Sequence, residues 1–471
     1  MTSSDTVNAH LEKAWTEWSY GNITEAAKIW YNVKELLKNS KNEKLEIDVN
    51  NYLAMYQRVW EGKDESIIDV EMNLKQAQRL NYLKGIVDSK IELAFRATSA
   101  EKAQNNFREA RTIARKIFEE EKNKSELIRV TYLYGIYLVK RGIEKFGYLF
   151  EQFQTALQYA IEENNKYFIA EIHHGIGEAF LRLGNLNEAK HHFEISLQIY
   201  KYLNNDRKIL ALLVSIADAE IQTEEYNSLD ILEKNYQEFN NLITEVRNKI
   251  PLTDLFNHLS RFSDIFLELD AFKRVSSLVN ELEKILREAN INSKLYFEGK
   301  MALATIKGNM ELKKLNLTRA EDLYLYITKR REQARIADLY NALISLAIIS
   351  IYKYRIFFDI EHLTRAQELI KDAIKISKDT DHIRGYVRAS MVDAMLKITV
   401  GGKNADLSEM ERVINIAQEK GLQIEARHAQ KELFRFRRGN IGINHAPLND
   451  RSVAEVLQYA LEAKKIVRKI Q

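Results

Sequence analysis

The stretch 170-AEIHHGIGEAFLRLGNLNEAKHHFEISLQIYKYL-203 decides the fold. Ile169, Ile172, Ile176, Phe180 and Leu183 recur at spacings of three and four, which places them on one stripe of a helix. The pattern stops at Gly184-Asn185, a pair suited to ending a helix in a left-handed turn. A second stripe follows at Leu186, Ala189, Phe193, Ser196, Leu197 and Tyr200. Two amphipathic helices joined by so short a turn lie antiparallel with their stripes facing. Gly177 and Ala189 are small enough to let the two backbones approach.

The spacing Gly177, Phe180, Gly184, Leu186, Ala189, Phe193 resembles the tetratricopeptide repeat, with its small-x2-aromatic, turn, small-x3-aromatic signature. His173 stands where that family prefers Trp, Ser196 where it prefers Ala, and Lys201 where it prefers Pro. The resemblance implies an all-α, right-handed superhelical solenoid of antiparallel helix pairs. Looser copies of the second stripe occur along the chain. They are Ala26-Trp30-Val33, Val70-Leu74-Ala77, Ala110-Ala114-Ile117 and Phe153-Ala156-Ala160, then Leu229-Glu233-Tyr236 and Val275-Val279-Leu282. Ala320-Tyr324-Ile327, Ala366-Ile370-Ala373 and Met410-Ile414-Ala417 complete the series. Their mean spacing is roughly 43 residues, against about 34 for the standard repeat, which implies longer helices or loops. First-helix stripes are visible at Tyr134-Gly135-Leu138, Ile216-Ala217-Glu220, Phe262-Ser263-Phe266 and Leu346-Ala347-Ser350. Turn punctuation falls between, as at Tyr20-Gly21-Asn22 and Asn204-Asn205-Asp206.

Composition agrees. The chain has 471 residues, only two prolines and no cysteine, with 45% apolar and 29% charged residues. Few helix breakers favour an all-helical chain, and the cysteine count excludes disulfides, thiolate metal sites and thiol nucleophiles. A formal charge of +3 calls for neither a strongly basic nor an acidic partner. Met1 to Trp15 lacks the basic and apolar segments of a secretory signal, and the longest apolar run, Ala342 to Ile351, is too short to span a bilayer. A cytoplasmic location without membrane contact is the expectation. The expected domains are a solenoid over 1–438, a loop over 439–450 rich in Gly and Asn, and a capping helix over 451–471.

Expected functional residues follow from the repeat. The resemblance puts His174, Glu178, Leu181 and Arg182 on the concave face of the central repeat, with Asn309 equivalent in a later one. Of the positions that hold acidic C-terminal peptides in co-chaperone relatives (His174, Glu178, Ser260, Asp264, Thr305, Asn309), only Asn309 fits, and acids in the groove would repel such a peptide. Tyr132, Tyr296 and Tyr340 are further groove candidates. The four histidines 173, 174, 191 and 192 read as packing and surface residues, because adjacent helical residues point about 100° apart; no metal or other cofactor is expected. No phosphate-binding glycine loop, H-E-x-x-H or G-x-S-x-G occurs, so no catalytic residue is assigned. The expected function is a non-enzymatic scaffold for a protein or peptide partner, with self-association among its expected uses. Two alternatives remain open. A basic patch of Arg330, Arg331, Arg335, Arg435, Arg437 and Arg438, with Phe434 and Phe436 interleaved, suits RNA. Longer-period relatives of the family also include ligand-responsive regulatory arms.

Overall fold

The computed structural model describes residues 4–38, 42–58, 69–97, 99–141, 146–221, 229–247, 250–289, 291, 294–379, 383–401, 406–419 and 422–437. Among the described residues every regular element is a helix, and there are 21. The expected boundaries at 438/439 and 450/451, and the capping helix itself, lie outside the described residues.

The chain divides into two compact units, residues 1–181 with 185–258 and residues 182–184 with 259–471. The first holds α1 (Ser4–Ser19), α2 (Ile23–Leu37), α3 (Glu43–Tyr56), α4 (Val70–Arg79), α5 (Leu83–Arg96) and α6 (Ala100–Glu121). It continues with α7 (Ser125–Arg141), α8 (Phe146–Glu162), α9 (Lys166–Leu183), α10 (Leu186–Tyr202), α11 (Asp206–Ile221) and α12 (Leu229–Val246). Helix α13 (Leu252–Glu268) contributes to both. The second unit continues with α14 (Phe272–Glu288), α15 (Lys294–Lys313), α16 (Leu317–Thr328), α17 (Ile336–Phe357) and α18 (Ile360–Asp379). It ends with α19 (Ile383–Gly401), α20 (Ser408–Glu419) and α21 (Gln423–Arg437). Each unit is an all-α stack of antiparallel helix pairs, a helical-repeat solenoid.

All ten second-helix stripes fall on the even-numbered helices α2 to α20. Ala26, Trp30 and Val33, for example, are fully buried, as are Ala189, Phe193 and Ser196, and Ala320, Tyr324 and Ile327. Two stripes sit in a different register. In α12 the buried line is Leu232, Tyr236, Phe239 and Ile243, with Glu233 only half-buried. In α4, Asn73 rather than Leu74 is buried, because it donates from Nδ2 to Asn51 Oδ1 at 3.2 Å. The four first-helix stripes lie on α7, α11, α13 and α17. Ala342 to Ile351 is buried in α17. The wider segment Ile336–Tyr354 is long and apolar enough to cross a membrane, and 72% of it is buried within the second unit.

Seven turns share one hydrogen-bonding scheme. Gly21, Asn81, Asn164, Gly184, Asn204, Asp270 and Leu315 each take positive φ. The next residue's N–H then donates back to the carbonyl five residues earlier, as in Asn22 to Glu17 (2.9 Å), Asn205 to Tyr200 (3.0 Å) and Asn316 to Glu311 (2.8 Å). This closes the first helix as a Schellman motif. The same residue's carbonyl accepts the first bond of the following helix, as in Ala26 to Asn22 and Ala320 to Asn316, both 3.0 Å. A link of two or three residues therefore ends one helix and starts the next, which forces the pair antiparallel.

Close approach within a pair rests on Gly177, where a Cβ would lie 2.5 Å from the Phe193 ring. Replacement Gly177→Leu is expected to cost about 1–3 kcal/mol by overpacking, read as a lowered melting temperature. Gly147 on α8 has nothing within 4 Å of its would-be Cβ. Gly147→Ala is expected to be neutral or to stabilise by up to about 1 kcal/mol.

Candidate functional site

Helix α5 sets the chemistry of the first unit. Eight successive residues, Gly85 to Glu92, are buried, more than two helical turns, so no face of that segment reaches solvent. Asp88, Lys90 and Glu92 are among them, and buried charges persist only when paired. Lys84 donates to Asp88 Oδ2 (2.8 Å), Tyr52 Oη (2.8 Å) and Asp48 Oδ1 (3.2 Å), and Tyr82 donates to Asp48 Oδ2 at 2.7 Å. Arg129 of α7 pairs with Asp88 and, at 2.7 Å, with Glu126. Arg58 forms a two-pronged bond to Glu92 at 2.8 and 2.9 Å, and Lys90 meets Glu109 at 2.5 Å. Burial works against charge on Lys84, yet Tyr52 and Asp48 outweigh it and push its pKa up. Burial raises Glu126 and lowers Arg129.

A second node surrounds Glu171 of α9. Its carboxylate accepts from Tyr132 of α7 and Tyr200 of α10, and pairs with Lys208 of α11. Burial opposes its ionisation, but the Lys208 ammonium and the tyrosine hydroxyls prevail and hold its pKa at about 2. Burial, and then the Glu171 charge, push Tyr132, Tyr167 and Tyr200 well above the ordinary phenol value. These bonds join helices in successive hairpins, as their separations in sequence show. Arg58–Glu92 spans 34 residues and Lys201–Glu238 spans 37; Tyr132–Glu171 spans 39, Arg331–Asp372 spans 41 and Lys313–Asp270 spans 43. That is one repeat per link, a signal the sequence holds in its spacing of opposite charges.

The expected groove residues meet different fates. His174 Nε2 lies 3.8 Å from Glu178 Oε1, and Glu178 also accepts from Ser215 Oγ of α11 at 2.9 Å. Both remain partly exposed. Leu181 is buried and Arg182 half-buried. Asn309 is engaged within its own hairpin, accepting from Tyr324 Oη at 2.7 Å. Tyr132 and Tyr340 are core residues rather than groove residues, because their apolar rings are covered by neighbouring helices. Tyr296 is half-buried under Lys300, 4.3 Å from its ring centre.

The basic patch resolves into pairs. Arg331 bonds Asp372 at 2.5 Å, Arg335 bonds Asp338 at 2.6 Å and Arg437 bonds Glu411 at 2.5 Å. Arg330 lies over the Tyr326 ring at 4.1 Å. Phe436 is buried and Phe434 exposed. The Arg435 side chain and Arg438 lie outside the described residues.

The histidines are more closely associated than expected. His192 is half-buried rather than fully on the surface. Its Nδ1 lies 2.8 Å from His173 Nδ1, and its ring stacks on Phe180 at 5.6 Å. Among the described residues no group of three or more His, Asp or Glu is placed to hold a metal. Burial, followed by the neighbouring imidazoles, lowers His173 to about 4 and lowers His192 as well.

Two pH effects follow. Glu171 has a depressed folded pKa, so its contribution is full above the ordinary 4.5 and is lost as pH falls towards 2. Glu171→Gln is expected to flatten that part of the acid-unfolding curve, and Glu171→Ala to cost about 3–5 kcal/mol in denaturant titrations by leaving Lys208 unpaired. For His173 the unfolded chain binds the proton first, so stability falls as pH drops from 6.5 towards 4. His173→Phe is expected to reduce that slope, and NMR titration of the parent to show the His173 imidazole still neutral at pH 5.

No protein-family model matches the chain, and no curated protein matches it. Among solved structures, the chain is similar to a Signal Transduction ATPase with Numerous Domains protein with a tetratricopeptide repeat sensor from Pyrococcus horikoshii. Identity is 18% and the TM-score 0.43, over 87% of this chain and 56% of that one. It is also similar to a circular tandem repeat protein with novel repeat topology and enhanced subunit contact surfaces, at 15% identity and a TM-score of 0.17, over 97% of this chain and 91% of that one. The chain thus spans 56% of the length of the first.

Proposed function

We propose that this chain is a non-enzymatic scaffold of tetratricopeptide type that holds a protein or peptide partner, without a cofactor, in the cytoplasm. One observation carries the reading. The buried charges of the first unit are spent on links between hairpins, which makes a stiff spine, whereas His174 and Glu178 sit together and partly exposed on a first helix. Side chains fixed by packing and open on one side suit recognition of a surface better than chemical turnover. Because Arg331, Arg335 and Arg437 each stand beside a carboxylate, the patch carries little net positive charge to draw a polyanion, which argues against the RNA reading.

A photo-reactive residue placed at Glu178, and separately at the exposed Glu194 of α10, tests this in extract of the source cell. The expected result is a discrete protein adduct from position 178 and none from 194. Adducts to RNA, or equal labelling from both positions, would contradict it. For purified protein, affinity for single-stranded RNA is expected to be negligible at moderate salt; a steep salt dependence equivalent to several phosphate contacts would favour the alternative.

A further inference from the structure

The tip of the first hairpin meets the turn between α10 and α11, 186 residues away in sequence. Asn205 Nδ2 donates to the Ser19 carbonyl at 2.8 Å. The same buried side chain accepts from Lys208 N through Oδ1 at 3.1 Å, so it starts α11 and holds the first hairpin at once. Gly21, at φ +81°, packs on this amide so tightly that a Cβ would lie 2.6 Å from Asn205 Oδ1. One turn back, Trp18 hydrogen-bonds Tyr167 of α9, and Tyr167 packs against the core of the first hairpin.

Beside this seam lies a cavity of about 350 Å³, within the range of about 300–1,000 Å³ usual for small-molecule sites. Tyr20 and Asn22 line one wall, Asn204, Asp206 and Arg207 the other, and the buried Ile250 adds an apolar surface. Opposite charges stand side by side here. Arg207 gives Nε to Asp254 at 2.5 Å, and the terminal amino groups of its guanidinium extend its donor set. Asp206 adds a carboxylate to the lining, Asn204 an amide and Asn22 an amide oxygen, its Nδ2 being given to Glu17 at 2.8 Å, and Tyr20, 44% exposed, offers a flat ring. A carboxylate suits the arginine, an ammonium suits the aspartate, and a peptide-like group suits the amides.

We propose that this cavity binds a small zwitterion with an amino-acid carboxylate and ammonium, a free amino acid or a dipeptide, and that occupancy fastens the first hairpin to the α10–α11 turn. The walls come from opposite ends of the unit, so a ligand touching both stabilises only the joined state. This site is separate from the His174–Glu178 face and needs no protein partner.

Calorimetry and tryptophan fluorescence on the full chain test it, since Trp18 adjoins the seam. The probes are L-alanine, L-glutamine and L-alanyl-L-alanine, with N-acetyl-L-alanine and L-alaninamide as controls lacking one charge each. Saturable one-site binding of the amino acids or of the dipeptide is expected, and which of them binds fixes the ligand's length. The controls are expected to bind about tenfold more weakly or worse. Tyr20→Ala, on an exposed wall, is expected to weaken binding without lowering the melting temperature, and Arg207→Met to abolish discrimination against L-alaninamide. Absence of heat and of fluorescence change at millimolar probe would overturn the proposal, as would affinities unchanged in both variants.

Discussion

An isolated helical hairpin covers only one side of each of its helices, and everything else in this chain follows from that constraint. Helix α5 makes it concrete, because the eight residues from Gly85 to Glu92 have no side that a single partner helix could cover. Burial on all faces needs the preceding and following hairpins at once. The stack is therefore a thermodynamic requirement, and each hairpin's stability depends on its neighbours. The short turns serve this end. By closing one helix and opening the next with a single left-handed residue, they fix the angle at which each apolar stripe meets the next.

Complete burial of a first helix carries a polar cost, and the charge links answer it. Asp88, Glu92 and Glu171 are surrounded by protein, and each finds cations or hydroxyls supplied by another hairpin. Such pairs add little net stability over apolar residues of the same size, but they penalise any arrangement that leaves them unmatched. A hairpin α9–α10 shifted by one turn would part Glu171 from Tyr132 of the preceding hairpin and Lys208 of the following one. The greasy stripes thus drive stacking, and the ionic links select its register. The same rigidity suits a recognition surface, because a side chain such as Glu178 loses little freedom on binding.

The helical pairs were legible because their second helices follow one simple rule, small and aromatic residues at spacings of three and four. Ala189-Phe193-Ser196 and Ala320-Tyr324-Ile327 are fully buried as that rule requires. Turns with Gly21, Gly184 or Asn204 were legible too, since those residues accept positive φ. Leu315, Lys122 and Phe358 adopt the same conformation with no such signature, imposed by the helices on either side. The interior polar nodes escaped the sequence reading for a related reason. Tyr132, Glu171, Tyr200 and Lys208 lie on four helices and become neighbours only once three hairpins are stacked. The same holds for the seam between Ser19 and Asn205.

Amide hydrogen exchange tests the stacking most directly, because it measures how thoroughly each helix is covered. If successive hairpins enclose the middle of α5 and most of α11, the amides from Ile86 to Glu92 and from Leu210 to Ala217 exchange among the slowest in the first unit, slower than those of α6 or α10. Faster exchange in α5 and α11 than in their paired second helices would mean that an open groove runs along them, and would contradict the account.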